Sequence, residues 1–207
     1  TVFVALFYIC LPTSYKWVWP VNWRFLPLAV LLLLMWGRAR LPRAAELMLT
    51  LLFAAVAAGA IALHIKQFRA FDAEAREFDD VLAAIEPNAR VLSVVFDSGS
   101  QAVDGAAYLH FAQYHVVRHG GVATYSFAEA PQSPIRFRPR SEGGPPSTAL
   151  RSEWKPHDFR FTSDNRYYDT FLTRGEPGGF AQRVRFGAEV RLVKRVGKWT
   201  VYRYDRT

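Results

Sequence analysis

Side chains able to bind ligands or transfer protons are concentrated in one part of the chain. They follow a compact β-branched run, RVLSVVF at Arg90 to Phe96, and continue into the next segment: Asp97, Ser98, Gly99, Ser100, His110, Tyr114, His115, Arg118 and His119. In α/β proteins, ligands bind in loops beyond the carboxyl ends of parallel strands. The pattern therefore predicts a ligand site here, and the candidate ligand-binding residues are Asp97, Ser98, His110, Tyr114, His115 and Arg118.

The chemistry that these residues indicate is binding rather than metal or nucleophilic catalysis. His115 and His119 are spaced i, i+4, as in some metal sites, but no glutamate lies between them as in HExxH and no third ligand is indicated. DSGS matches neither GxGxxG, GxSxG nor a P-loop, so turn formation is favoured over a nucleophilic role for Ser98 or Ser100. No metal and no cofactor is evident.

A second set of candidate groups is the acidic run from Asp72 to Asp80. It has the acids for an acid/base pair, but a charge run on one helix is typical of a solvated face. We interpret it as that face.

The elements that would position the candidate site form an α/β pattern. After the Arg90 to Phe96 strand, residues 106–119 have helical periodicity and end at Gly120-Gly121, and residues 122–127 are strand-like. Strand, helix and strand in this order predict a βαβ unit with parallel pairing. Residues 167–173 predict a third strand, after the long Pro-, Gly- and Arg-rich segment 128–165.

The C-terminal part predicts a short helix near Phe180 to Arg185 and a closing β-hairpin. EVRLVKR and KWTVYRY alternate in polarity on either side of Val196-Gly197, which is a hairpin signal.

The N-terminal part is membrane-like. Ala44 to Leu63 is long enough to cross a bilayer as a helix. Residues 2–12 predict the end of a longer span and residues 25–36 a second, short span, with an aromatic interfacial loop at 14–24 between them. The short segment GRARLPR at Gly37 to Arg43 is basic, which predicts a cytoplasmic position and an extracytoplasmic one for everything after about His64. Helical spacing continues to Ile85, and Pro87-Asn88 ends it.

This organisation gives three regions: 1–71, transmembrane helices; 72–89, a helical extension; and 90–207, an extracytoplasmic α/β domain. Thr1 enters apolar sequence with no basic n-region, so we expect the spans to be the end of a longer bundle.

The amino-acid composition limits the classes of binding partner that we expect. The formal net charge is +8, but the arginines are scattered and form no basic helix or RNA-binding motif, so nucleic acid is not expected. We expect the positive charge to bind anionic lipid or a lipid-linked phosphate. The arginine-rich loop from Arg136 to Arg151 is suited to phosphate. Cys10 is the single cysteine, so an intramolecular disulfide is impossible.

Several segments carry a family resemblance: NWRFLPLAVLLLL, EFDDVLAAIEPNARVLSVVFDSGS, YLHFAQYHVVRHGG, YYDTFLTRG and VRLVKRVGKWTVYRY. Together they resemble the C-terminal part of bacterial multi-spanning membrane proteins of the GT-C glycosyltransferase type. The resemblance implies sugar transfer from a polyprenyl-phosphate donor on the outer face of the inner membrane. The catalytic acid of that family lies in an early outer loop that no residue here matches, so no catalytic residue is assigned.

Two functions follow as hypotheses. In the first, the chain is the C-terminal region of an integral-membrane glycosyltransferase whose soluble domain helps to position the acceptor or the polyprenyl-linked donor. In the second, it is a non-catalytic membrane-anchored α/β domain that binds a partner or glycan in the cell envelope.

Overall fold

The computed structural model of the protein describes residues 27, 30–31, 42–124, 126, 134, 144–146, 152–184 and 189–205. The chain divides into two compact units, Thr1–Gly59 and Ala60–Thr207. The predicted spans at 2–12 and 25–36, the aromatic loop and the arginine-rich loop at 136–151 lie outside these residues, apart from the few positions just given. The number of membrane spans therefore stays a prediction.

The longest element is helix α1, Arg43–Leu82, which has 40 residues. It begins with apolar, exposed side chains and is the one described helix that is long and apolar enough to cross a membrane. The predicted continuation of this helix beyond Leu63 is confirmed, since α1 runs unbroken through His64 to Phe71. It ends at Leu82 rather than Ile85, and the turn that follows includes Asn88 in the left-handed region, with φ 60°.

The sheet has five strands and mixed direction. They are β1 (Arg90–Val95), β2 (Val122–Ala123), β3 (Thr170–Arg174), β4 (Glu189–Val196) and β5 (Trp199–Asp205), in the order β2-β1-β3-β5-β4. β1 pairs in parallel with both β2 and β3, so the predicted parallel βαβ pairing is confirmed. β5 is antiparallel to β3 and to β4, and the last two strands form the predicted hairpin.

Two of the predicted strands are shorter than expected. The strand predicted at 122–127 is the two-residue β2, and the one predicted at 167–173 begins only at Thr170, because a 3-10 helix occupies Ser163–Tyr167. The short helix predicted near Phe180 is present as α3, Phe180–Val184.

The helix predicted over 106–119 is wrong in its first half. Residues 107–112 form turns, and only α2, Gln113–His119, is helical. The physical reason is His110, whose φ of 65° lies in the left-handed region and cannot continue a right-handed helix. His110 therefore does not share a helical face with Tyr114 and Arg118.

The sheet carries an apolar cluster on each face. One cluster packs α1 and the 107–119 segment against β1, β3 and β5, with Phe78, Leu82, Tyr108 and Trp199 among its buried members. The other comprises the opposite-facing residues of the strands together with α3: Leu92, Val94, Tyr168, Phe171, Phe180, Val184, Tyr202 and Tyr204. β1 is buried on both faces, as its compact, β-branched-rich sequence predicts.

Candidate functional site

The carboxyl ends of β1 and β3 meet at a cluster of charges. Arg174, the last residue of β3, is 3.3 Å from Asp97 and 3.6 Å from Glu74 of α1, measured from its guanidinium nitrogens to the carboxylate oxygens. Lys198, in the turn between β4 and β5, places Nζ 2.6 Å from the other carboxylate oxygen of Asp97. The cluster thus pairs two acids with two bases and is formally neutral.

Arg174 is enclosed as well as paired. Only 3% of its side chain is exposed, its guanidinium carbon lies 3.7 Å from the centre of the Tyr108 ring, and Nη1 also donates to the backbone oxygen of Asp97. The Tyr108 pKa is raised to about 12 by burial and by the neighbouring Glu74 carboxylate. Its hydroxyl therefore stays protonated across the physiological range.

The two acids of the cluster are held in their charged form. The hydrogen bond from Lys198 lowers the pKa of Asp97, with a further contribution from the charge of Arg174. Burial alone would raise the pKa of Glu74, but hydrogen bonds from the Ser100 hydroxyl and the Gln101 backbone N–H lower it overall. These contacts join α1 to the carboxyl ends of β1 and β3. We call the cluster of Glu74, Asp97, Arg174 and Lys198 the charged junction.

A groove lies beside this junction, between α1 and the 107–119 segment. Its volume is about 350 Å³. Five aromatic residues line it (Phe68, Phe71, Phe78, Phe111 and Tyr114), together with Ala75 and four charged residues (Asp72, Arg76, Asp79 and Arg118). We call it the aromatic groove.

Four rings of the aromatic groove, those of Phe71, Phe78, Phe111 and Tyr114, are packed against one another, and its charged side chains lie at the surface. Phe111 is in edge contact with Phe78 and Tyr114, at centroid separations of 5.1 and 5.4 Å. Arg118 pairs with Asp79 at 2.6 Å, and both side chains are about half exposed. Such exposed ion pairs are worth little to stability, so these groups can exchange their partner for a ligand at low cost.

The six candidate residues from the sequence do not form one site. Asp97 belongs to the charged junction, and Ser98 beside it accepts the backbone N–H of Tyr108 through its carbonyl oxygen. Tyr114 and Arg118 line the aromatic groove. The remaining two, His110 and His115, lie elsewhere.

His115 is fully buried on α2. Neither ring nitrogen has a hydrogen-bond partner, and its ring meets that of His119 in edge contact at 5.4 Å. Burial lowers the pKa of His115, and His119 lowers it further. Among the residues that the structure describes, no group of three or more His, Cys, Asp or Glu side chains is arranged to hold a metal ion.

His110 instead contacts Glu153, a residue that the sequence analysis did not single out. Nδ1 of His110 is 2.7 Å from Oε2 of Glu153, and the Glu153 side chain is completely buried. Sequence reasoning also missed Glu74, Arg174 and Lys198, although the position of Arg174 directly after a predicted strand was a usable signal.

No known protein family matches the chain, and neither a curated protein nor a solved structure similar to it was found.

Proposed function

We propose that the domain binds a saccharide in the aromatic groove, as the part of an integral-membrane glycosyltransferase that positions a polyprenyl-phosphate-linked sugar. The observation that carries the proposal is the lining of the groove, in which exposed ion pairs flank a wall of aromatic rings. Aromatic faces offer flat apolar area to a sugar ring, and carboxylates accept hydrogen bonds from its hydroxyls.

The position of the groove along α1 favours a lipid-linked ligand. The apolar run of the helix ends at Leu63, and the groove begins at Phe68, about 8 Å further along the axis at 1.5 Å per residue. A headgroup that projects from the bilayer surface reaches this distance. Arg76 and Arg118 at the rim supply guanidinium groups, whose fork geometry suits phosphate.

Binding of a short-chain polyprenyl phosphoglucose to the full chain in nanodiscs tests the proposal. We expect Tyr114→Ala to weaken binding about tenfold, which corresponds to about 1.4 kcal/mol. The matched control is Val117→Ala, because Val117 lies on the same helix, is 81% exposed and does not line the groove. Equal affinity of the Tyr114→Ala variant and the parent chain, or no binding above that of empty nanodiscs, would refute the proposal.

The charged junction favours the second candidate, a non-catalytic membrane-anchored domain that binds a glycan or partner in the cell envelope. Its acids, Asp97 and Glu74, are already paired with Arg174 and with Lys198 or Ser100. Transfer of labelled sugar by membranes that contain the natural gene product separates the two. Loss of transfer in Tyr114→Ala supports the glycosyltransferase, whereas saccharide binding without any transfer supports the anchored domain.

A further inference from the structure

Strand β4 forms one edge of the sheet. It is the last strand in the sheet order, and among the residues that the structure describes it pairs only with β5. Residues 191–195 of β4 are all exposed, including the apolar Leu192 at 52% and Val193 at 40%. An edge strand has a row of backbone N–H and C=O groups that can pair with a further strand. β4 has eight residues, whereas β2 at the opposite edge has two, so β4 is the edge at which another segment can pair over several residues.

The exposed side chains of this edge are positively charged. Arg191, Lys194 and Arg195 lie within five residues of one another. Arg195 is already paired with Glu176, but Arg191 is 64% exposed and lies 3.9 Å from Asp205. An ion pair so long and so exposed contributes little to stability, so Arg191 can pair with an incoming carboxylate at low cost. The charge of the edge therefore favours an acidic partner.

The position of β4 along α1 excludes the bilayer surface as that partner. Gly197, at the end of β4, lies against the Glu77 carboxylate, and Nζ of Lys194 donates to the backbone oxygen of Asp80 at 2.8 Å. Glu77 and Asp80 are about 21 and 26 Å beyond Leu63 along the helix axis at 1.5 Å per residue. The Debye length at physiological ionic strength is about 8 Å, so anionic lipid at the end of the apolar run would be screened from this edge.

Like charges also make a second copy of β4 a poor partner. If two copies paired antiparallel about Val193, Arg191 would face Arg195 of the second copy, and in the register shifted by one residue it would face Lys194. Like charges directly opposite each other destabilise a strand pair. The register shift between Leu192 and Lys194 marks a bulge, which further limits pairing between identical strands.

We propose that β4 binds an extended, acidic segment of a partner protein, which adds a strand to this edge of the sheet. The backbone of the segment pairs with the outer edge of β4, and its carboxylates pair with Arg191 and Lys194. A polypeptide fits better than an acidic glycan, because only a polypeptide has the alternating N–H and C=O groups that continue the ladder. No residue of β4 lines the aromatic groove, so this interaction is separate from the proposed binding of a saccharide.

A synthetic acidic strand tests the proposal on the full chain in nanodiscs of zwitterionic phosphatidylcholine. The probe is the octapeptide EVETEVET, acetylated and amidated, in which every second side chain is acidic and lies on one face of an extended strand. We expect fluorescence anisotropy to show that it binds about tenfold more tightly than KVKTKVKT, which corresponds to about 1.4 kcal/mol. Hydrogen-exchange mass spectrometry should show slower exchange in residues 189–196 of the complex and no change in β1, which already has a strand on each side.

A third peptide and two double variants separate strand addition from simple charge attraction. EVEPEPET keeps the four glutamates but lacks two of the N–H groups, so it should bind more weakly and leave exchange in residues 189–196 unchanged. In Arg191→Glu/Lys194→Glu, the preference should reverse, so that KVKTKVKT binds more tightly than EVETEVET. Lys66→Glu/Arg160→Glu is the matched control: both residues are exposed and outside β4, and the change in net charge is the same. It should keep the preference of the parent chain.

Three results with the parent chain would overturn the proposal: equal affinity for EVETEVET and KVKTKVKT, equal affinity for EVETEVET and EVEPEPET, or no slowing of exchange in residues 189–196. A chain that is dimeric without peptide and already exchanges slowly there would assign the edge to a second copy instead. Displacement of EVETEVET by polygalacturonate with exchange still slow would assign it to an acidic glycan. These measurements on the parent chain keep the test decisive if Arg191→Glu/Lys194→Glu does not fold.

Discussion

The guanidinium carbon of Arg174 lies 3.7 Å from the centre of the Tyr108 ring. This stacking covers a cation that Glu74 and Asp97 neutralise from α1 and from the end of β1. Arg174 therefore joins three parts of the fold that are distant in sequence. Its planar group can stack and donate in several directions at once, which a lysine ammonium cannot do.

Replacing Arg174 by methionine should lower the free energy of unfolding by roughly 3 kcal/mol, because it leaves two partly buried carboxylates without their cation. Arg174→Lys should recover only part of this loss. Urea denaturation of the full chain in detergent, followed by tryptophan fluorescence, measures both. Arg76→Met is the control, since Arg76 and its partner Asp72 are exposed and a change below about 0.5 kcal/mol is expected. Equal losses in Arg174→Met and Arg76→Met would contradict this role.

Gly175 follows Arg174 with φ 66°, and a Cβ atom there would lie 2.5 Å from Cβ of Asp97. Gly175→Ala should therefore displace Asp97 as well as strain the backbone. Gly178→Ala is the matched control: its φ is 81°, but a Cβ would meet nothing within 4 Å. We expect Gly178→Ala to cost about 1 kcal/mol through strain alone and Gly175→Ala about 2 kcal/mol more. The difference in urea midpoint measures this, and equal costs would mean that Asp97 is free to move.

The strands could be predicted because their signals are local. β1 is a β-branched run, and the hairpin has alternating polarity on both sides of Val196-Gly197. The parallel pairing of β1 with β2 follows from the order strand, helix, strand, whereas no local signal predicted that β1 also pairs with β3.

The charged junction could not be predicted in the same way. Arg174 and Lys198 contact Asp97 across 77 and 101 residues, and no local pattern specifies such pairs. Glu74 lies in an acidic run that has the periodicity of a solvated face, and its contacts with Arg174, Ser100 and Gln101 could not be read from that run.

The contact between His110 and Glu153 was missed for related reasons. The segment around His110 has helical periodicity, which conceals a residue in the left-handed region. Glu153 lies within the Pro-, Gly- and Arg-rich segment 128–165, where the sequence predicts a loop and gives no reason to expect a buried acid.

Buried His115 should make the fold sensitive to mild acid. Its pKa in the folded protein is below the 6.5 of an ordinary histidine because burial disfavours the charged ring. At a pH between the folded-state pKa and 6.5, the imidazole of His115 is therefore mostly protonated in the unfolded chain and mostly neutral in the folded chain. The stabilising contribution is complete above pH 6.5 and is lost as the pH falls from there through the folded-state pKa.

His115→Leu should remove this loss of stability, since leucine fills a similar space and the ring nitrogens of His115 have no hydrogen-bond partner to leave behind. We expect the free energy of unfolding to fall less between pH 7.5 and pH 5.5 in His115→Leu than in the parent chain. His157→Gln is the control, because His157 is exposed and its loss should leave the slope unchanged. A parent-like slope in His115→Leu would contradict the prediction.

Phe68→Ala should separate binding from folding in the aromatic groove. Phe68 is 64% exposed, so its truncation should change the free energy of unfolding by less than about 0.5 kcal/mol. Phe78 lines the same groove but is buried, and Phe78→Ala should cost roughly 3 to 5 kcal/mol by opening a cavity. Affinity for polyprenyl phosphoglucose and urea denaturation, measured on both variants in nanodiscs and detergent respectively, give the two quantities. We expect Phe68→Ala to lose affinity severalfold at parental stability, because an exposed ring in this position contributes contact area to the ligand rather than to the core. Unchanged affinity in Phe68→Ala would exclude the part of the groove nearest the apolar end of α1 from the binding site.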